Sequence, residues 1–130
     1  MVNAKHVVFA DIQSYLDGIA DNPKNTRKVD DAGHARFWRV SYHEFATGFV
    51  PNESCRGQVV PIVNSDPAQC PFYQALVATA GWCNMRQMPR GGPFITDAGY
   101  AVTLDGGLLI TGVEIDANIR WWLTNGMPEV

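Results

Sequence analysis

Apolar side chains near the start of the chain recur every three or four positions. They are Val8, Ile12, Tyr15 and Ile19. This spacing places side chains on one face of an α-helix and leaves the polar residues on the other face. The pattern therefore predicts an N-terminal amphipathic helix over Ala4–Ala20, with Asn3 as its N-cap residue.

Two hydrophobic patterns overlap in residues 34–50, HARFWRVSYHEFATGFV. Trp38, Val40 and Tyr42 alternate with polar residues, as in a half-buried strand. Aromatic residues also recur at spacings of four, three and four between positions 38 and 49, as on one face of a helix. We interpret this segment as a helix that ends near Gly48, and the strand stays as the alternative.

Two shorter elements are predicted next. Residues 57–65, GQVVPIVNS, have the β-branched content of a strand. Pro61 confines that strand to a sheet edge or a bulge, because proline cannot donate to the ladder. The following apolar pattern predicts a helix over Pro71–Ala80. Pro71 suits its first position and Gly81 its C-terminal boundary.

The end of the chain has the clearest pattern. Two β-prone runs flank Asp105-Gly106-Gly107, which is a strong hairpin signal. Asp116 is the expected N-cap of a short helix over residues 117–125, and Gly126 ends it.

These elements together predict a single α+β domain over residues 1–130. Its parts are the N-terminal amphipathic helix, a small and largely antiparallel sheet with the C-terminal β-hairpin, helices packed on one face, and the short C-terminal helix.

The composition is that of a folded domain, with 46% hydrophobic and 18% charged residues among 130. A net charge of −3 without a broad basic surface predicts no nucleic-acid partner. The apolar runs are too short to cross a bilayer, so we expect no membrane partner. Polar residues interrupt the apolar positions of the N-terminus, unlike the core of a signal peptide. We therefore expect a cytoplasmic protein.

The three cysteines are expected to be reduced, because disulfides are rare in the cytoplasm and the odd count argues against a closed disulfide framework. The predicted intervening helix would separate Cys70 from Cys83 by roughly 20 Å. That distance excludes a disulfide or a shared zinc ion between those two. No Cys-x-x-Cys or His-x-x-x-His spacing occurs. We expect no metal and no other cofactor.

One candidate chemistry uses Cys70. At a helix N-cap, the helix dipole and free N–H groups stabilise a thiolate. A nucleophile needs a base, and the best candidate is His43, which adjoins Glu44. This reading describes a small hydrolase-like enzyme in which Cys70 is the nucleophile or His43 the general acid or base. The alternative is that Cys70 is a small core residue.

Arginine and aromatic residues support a second function class, which we prefer. They form two clusters, Trp38/Arg39/Tyr42/His43 and Trp82/Arg86/Arg90. The predicted ligand-binding residues within them are Arg39, Tyr42, His43, Trp82 and Arg86. Arginine stacks on aromatic faces and pairs with anions, a combination that suits ligand clefts. The prediction is a small binding or interaction module with a pocket for a small organic or anionic ligand. The alternative is that the tryptophans are core and the arginines solvated.

The last prediction concerns assembly. In the C-terminal helix, Trp121 lies about 100° around the axis from the inward-facing Trp122. One short helix cannot easily bury both tryptophans, and tryptophan is enriched at interface centres. We therefore expect a symmetric homodimer with Trp121 at or near the interface. The alternative is a monomer in which Trp121 packs under the loop at residues 89–93.

Overall fold

The computed structural model describes residues 6–28, 35–83 and 85–130. Within these ranges the fold is α+β, as the sequence predicts, with helices and two antiparallel hairpins. In chain order the elements are α1 (Phe9–Ala20), α2 (Tyr42–Thr47), β1 (Phe49–Cys55), β2 (Gln58–Pro61), a 3₁₀ turn (Pro67–Gln69), α3 (Pro71–Val77), β3 (Ala101–Thr103), β4 (Leu109–Thr111) and α4 (Gly112–Thr124).

Helix α1 begins later than the apolar pattern predicts. The predicted N-cap Asn3 lies outside the described residues. Residues 6–8 are described and are not helical. The start is fixed by Asp11, whose carboxylate accepts the Val8 N–H at 3.0 Å. A carboxylate in the first turn also interacts favourably with the helix dipole. The predicted inward face is confirmed for Ile12, Tyr15 and Ile19, which are buried, whereas Val8 precedes the helix and is half-buried.

The ambiguous segment divides into a turn, a helix and a strand. The helical interpretation is confirmed for α2, which Ser41 and Glu44 begin with reciprocal side-chain-to-backbone hydrogen bonds. The predicted break at Gly48 is also confirmed, because β1 starts at the next residue. A Cβ at position 48 would lie only 2.3 Å from the Glu44 carbonyl oxygen, so this close turn requires glycine.

The four strands form two separate two-stranded sheets. In the first, β1 and β2 meet at a tight turn whose central residues Arg56 and Gly57 have φ of +53° and +77°. Two positive φ values match the right-handed twist of a hairpin. In the second sheet, β3 pairs with β4 around the predicted turn at residues 105–107. Val102 and Ile110 are paired and both buried, so this hairpin turns one face to the core.

Helix α4 corrects the predicted C-terminal helix. It begins at Gly112 rather than after Asp116, because Thr111 and Glu114 form a capping box at its start. Helix α3 begins at Pro71 as predicted but ends at Val77, three residues before the predicted end. Gly81 is therefore not its C-terminal residue and belongs to the turn beyond it.

Aromatic rings join the helices in one core. The ring of Phe45 in α2 lies 5.2 Å from Phe9, 5.3 Å from Phe72 and 6.1 Å from Trp122. These contacts connect α2 to the start of α1, to α3 and to α4. The fully buried Trp122 also donates its indole N–H to the Pro128 carbonyl oxygen at 2.9 Å. In the described ranges, no helix has both the length and the apolar character that crossing a bilayer would need.

Candidate functional site

A pocket of about 650 Å³ opens beside the segment that follows α3. Two of the predicted ligand-binding residues, Trp82 and Arg86, are in its wall. Among the described residues, the lining is Thr79, Ala80, Gly81, Trp82, Cys83, Met85, Arg86, Gln87, Gly91 and Phe94.

The near wall of the pocket is a tight turn, which we call the pocket turn and define by its described residues, 81–83 and 85–86. The N–H and carbonyl groups of Trp82 and Met85 exchange two hydrogen bonds, each of 2.9 Å. Gly81 has φ of +85°, and a Cβ there would lie 2.7 Å from the Met85 carbonyl oxygen. Only glycine can hold this close approach without displacing the backbone. The turn thereby presents Trp82 and Arg86 to the same cavity.

The far end of the pocket turn is anchored on α3 by Gln87. This side chain is 6% exposed, and its amide donates to the Leu76 carbonyl and to the Thr96 hydroxyl, both at 2.8 Å. The next residue, Met88, donates its backbone N–H to the Ala75 carbonyl at 2.7 Å. Buried amides are costly unless they are hydrogen-bonded. The hydrogen bonds of Gln87 therefore hold this end of the pocket wall against α3 and the core.

A disulfide joins Cys83 in the pocket wall to Cys55 at the end of β1, with the Cα atoms 5.7 Å apart. The prediction of three reduced cysteines is therefore wrong. An odd number of cysteines excludes a structure in which every cysteine is paired, but it allows one disulfide and one free thiol. Cys70 is that free thiol, so the predicted absence of a Cys70–Cys83 bond is confirmed. The Cys55–Cys83 pair was not predicted because the two residues are 28 positions apart, and only the folded position of β1 brings them together.

The pocket combines apolar rings with one positive charge. Trp82, Phe94 and Met85 supply apolar surface, and Arg86 is the charged side chain in this lining. The guanidinium group presents several N–H donors in a plane that matches a carboxylate, sulfonate or phosphate. An anion with an aromatic or apolar body is the ligand type that this lining suits. Phe94 and Gln87 are lining residues that the sequence does not predict, because the pattern of residues 89–93 indicates only a loop and says nothing of what lies beside it.

The other predicted cluster makes contacts within the protein and is not in the lining of this pocket. The Arg39 guanidinium donates to the Asp17 carboxylate at 3.0 Å. The Tyr42 hydroxyl donates to the Met127 carbonyl at 2.7 Å, and its ring packs edge-on against Phe9. His43 is exposed on α2.

The candidate catalytic residues have the environments of structural groups. Cys70 is at the N-cap position of α3, as predicted, but its side chain is fully buried and makes no capping hydrogen bond. Burial raises the pKa of its thiol to about 11, so the reactive thiolate is scarce near neutral pH. The Glu44 carboxylate accepts the Ser41 N–H in the capping box. Among the described contacts, none joins His43 to Cys70 or to the Glu44 carboxylate.

Trp121, the predicted interface residue, is half-buried on α4. Its ring meets that of His6 edge-on, with the centroids 5.5 Å apart. For metals, the described part of the chain holds no group of three or more His, Cys, Asp or Glu side chains placed to bind an ion.

No family model, curated protein or solved structure matches this chain. The pocket is therefore interpreted from its own residues.

Proposed function

We propose that the protein is a small binding module whose pocket takes an organic anion with an aromatic or apolar body. The observation that carries this proposal is the pairing of Arg86 with Trp82 and Phe94 around one cavity of about 650 Å³. Ligand pockets are typically mostly apolar, with a few polar groups that fix orientation. Here Arg86 supplies the charge and the rings supply the surface.

Each part of the lining makes a separable contribution. A hydrogen bond to a charged group contributes about 1.5–3 kcal/mol, which is roughly a tenfold to hundredfold change in affinity. Stacking of the guanidinium or of a ligand ring on Trp82 adds about 0.5–2 kcal/mol. Removal of the charge should therefore weaken anion binding strongly but leave the affinity for a neutral ring nearly unchanged.

The test uses 8-anilinonaphthalene-1-sulfonate, an aromatic anion whose fluorescence reports binding. The oxidised wild type should bind it saturably, and Arg86→Met should raise the Kd at least tenfold. Arg90→Met is the matched control, since Arg90 is an exposed arginine that is not in the pocket lining. It should change the Kd less than twofold.

A neutral probe of the same shape separates charge from packing. N-phenyl-1-naphthylamine lacks the sulfonate, so its Kd should be similar in wild type and Arg86→Met. The proposal is overturned by non-saturable binding of the anionic probe to wild type, or by equal effects of the two arginine substitutions.

We also propose a homodimer that forms through α4. Support comes from an apolar stripe on the outer side of this helix, made of Val113, Ala117 and Trp121 at spacings of four residues. Val113 is 66% exposed, and the other two are half-buried. An apolar helix stripe at this spacing can pack against its own copy around a two-fold axis.

The cytoplasmic location stays a proposal as well. In a cytoplasmic protein the Cys55–Cys83 bond would usually be transient, catalytic or redox-sensing, because structural disulfides are rare in that compartment.

A further inference from the structure

The disulfide connects the pocket to the first hairpin, which is distant from the pocket turn in sequence. Cys55 is the last residue of β1, next to the exposed turn of the first hairpin. Cys83 is in the pocket turn, between Trp82 and the segment that carries Arg86. The covalent bond therefore ties the wall that presents both proposed ligand contacts to the tip of the first hairpin.

In the described structure, the middle of the pocket turn is held by the partly buried side chains of Trp82 and Met85, which pack against the core, and by the disulfide at Cys83. The hydrogen bonds that Trp82 and Met85 make are with each other, so they close the turn but do not attach it to another element. Hydrogen bonds attach its two ends to the region of α3: the Gly81 N–H donates to the carbonyl of Ala78, just after α3, and Gln87 donates to Leu76 in α3.

The backbone at Cys83 is also held in an unfavourable conformation. Its φ is +48°, in the left-handed region that residues with a Cβ adopt at an energetic cost. Such a conformation persists only where its surroundings enforce it. The two hydrogen bonds that close the turn and the bond to Cys55 both enforce it, so loss of the disulfide removes one of the two constraints on Cys83.

We propose that the Cys55–Cys83 disulfide is a redox control of the pocket, a role that rests on the proposed anion-binding function. In the oxidised protein the bond fixes Trp82 and Arg86 around the cavity. A dithiol reductant transfers two electrons and two protons: the Sγ–Sγ bond breaks, both cysteines become thiols, and the dithiol becomes a cyclic disulfide. The pocket turn is then released and the affinity for the aromatic anion falls.

The position of the bond allows a reductant to reach it. Both cysteines are partly exposed, and the adjoining Arg56 and Gly57 are exposed. Cys70 differs, because it is fully buried and cannot exchange with a reagent in the folded protein.

The experiment measures the Kd of 8-anilinonaphthalene-1-sulfonate for oxidised protein, for protein reduced with dithiothreitol, and for Cys55→Ala/Cys83→Ala. Reduction should raise the Kd at least tenfold. The double variant should match the reduced wild type and ignore the reductant. Cys70→Ala is the matched control, since it removes the free thiol and should respond to reduction like the wild type.

Two further measurements keep the result interpretable if reduction loosens the whole chain. A tenfold difference in Kd requires, by linkage, that saturating probe lowers the reduction potential of the disulfide by about 30 mV. Hydrogen exchange should rise on reduction in the pocket turn and at the tip of the first hairpin, while α1 and α4 stay protected.

The possible results separate the two proposals. Equal Kd values in both redox states, or exchange that rises throughout the chain, overturn the redox control, and in the second case the bond is a structural cross-link. If the oxidised protein fails to bind the probe, or binds it independently of Arg86, the proposed function itself falls.

Discussion

Cys70 illustrates how strongly the surroundings of one residue decide its chemistry. A thiol at a helix N-cap is stabilised as a thiolate where the site is open to solvent. Here the side chain is enclosed beside Ile62, whose carbonyl oxygen lies 4.0 Å from Sγ. Desolvation opposes the charge more strongly than the backbone hydrogen bonds favour it, so the pKa rises to about 11.

This raised pKa predicts a specific loss of stability at alkaline pH. Between the unfolded pKa near 9 and the folded pKa near 11, the unfolded chain gives up the proton and the native chain keeps it. Stability from this group is complete below pH 9 and decreases as the pH rises towards 11. The free energy of unfolding of wild type should therefore fall by about 1 kcal/mol more than that of Cys70→Ala between pH 8 and pH 10.

Urea unfolding of the two oxidised proteins at pH 8 and pH 10 measures this difference. Burial also raises the pKa of Tyr15 and Tyr100, but these are common to both proteins and cancel. Parallel pH dependences would show that Cys70 ionises equally in the folded and unfolded chain.

Single residues in the site were predictable only in part. Residue type pointed to Trp82 and Arg86, which are four positions apart, but the same combination of types also pointed to Arg39, which is not in the lining. The sequence could not show that they share a cavity with Phe94, or that the Arg39 cluster is not in its lining. These facts depend on contacts between residues far apart in the chain, which no local pattern encodes.

At the scale of elements, local signals predicted the ends of α1 and α4 to within one residue but missed both starts, whereas for α3 they predicted the start and missed the end. Pro71 at the first position of α3 and the glycine-containing turn between β3 and β4 were recognised because each acts through its own backbone. The predicted start of α4 at Asp116 is wrong because a stronger start signal precedes it in the chain. Thr111 and Glu114 have the capping-box spacing of three residues, and they fix the helix start next to β4.

The capping box makes a prediction for α4. Thr111→Ala removes the hydroxyl that accepts the Glu114 N–H at 3.1 Å, leaving one helix donor without its side-chain partner. The free energy of unfolding should fall by about 1 kcal/mol, measured by urea unfolding. Thr103→Ala is the control, because Thr103 is an exposed threonine of the same hairpin and should cost only a few tenths of a kcal/mol. Equal losses in the two variants would show that the capping contact contributes nothing of its own.

At the scale of the whole molecule, the α+β class followed from the sequence, whereas the connection between the hairpin tip and the pocket did not. Hydrophobic periodicity reports which face of an element is buried, and so it predicts the core positions of α1. It does not report which elements meet. The disulfide between Cys55 and Cys83 depends on such a meeting, so neither the cysteine count nor the predicted helix between Cys70 and Cys83 could reveal it.

Assembly is the remaining property at this scale, and the outer stripe of α4 provides its test. Trp121 is partly covered by the ring of His6, so the most exposed apolar group of the stripe is Val113. In a dimer that packs through this stripe, Val113→Arg would place a charge in an apolar interface, at a cost of several kcal/mol. Sedimentation at micromolar concentration should therefore show a dimer for wild type and a monomer for Val113→Arg, with Trp121→Ala shifted towards monomer. Val59→Arg is the matched control, since Val59 is a similarly exposed valine (61% against 66%) on the first hairpin. A monomeric wild type, or equal effects of the two arginine substitutions, would remove α4 as the interface.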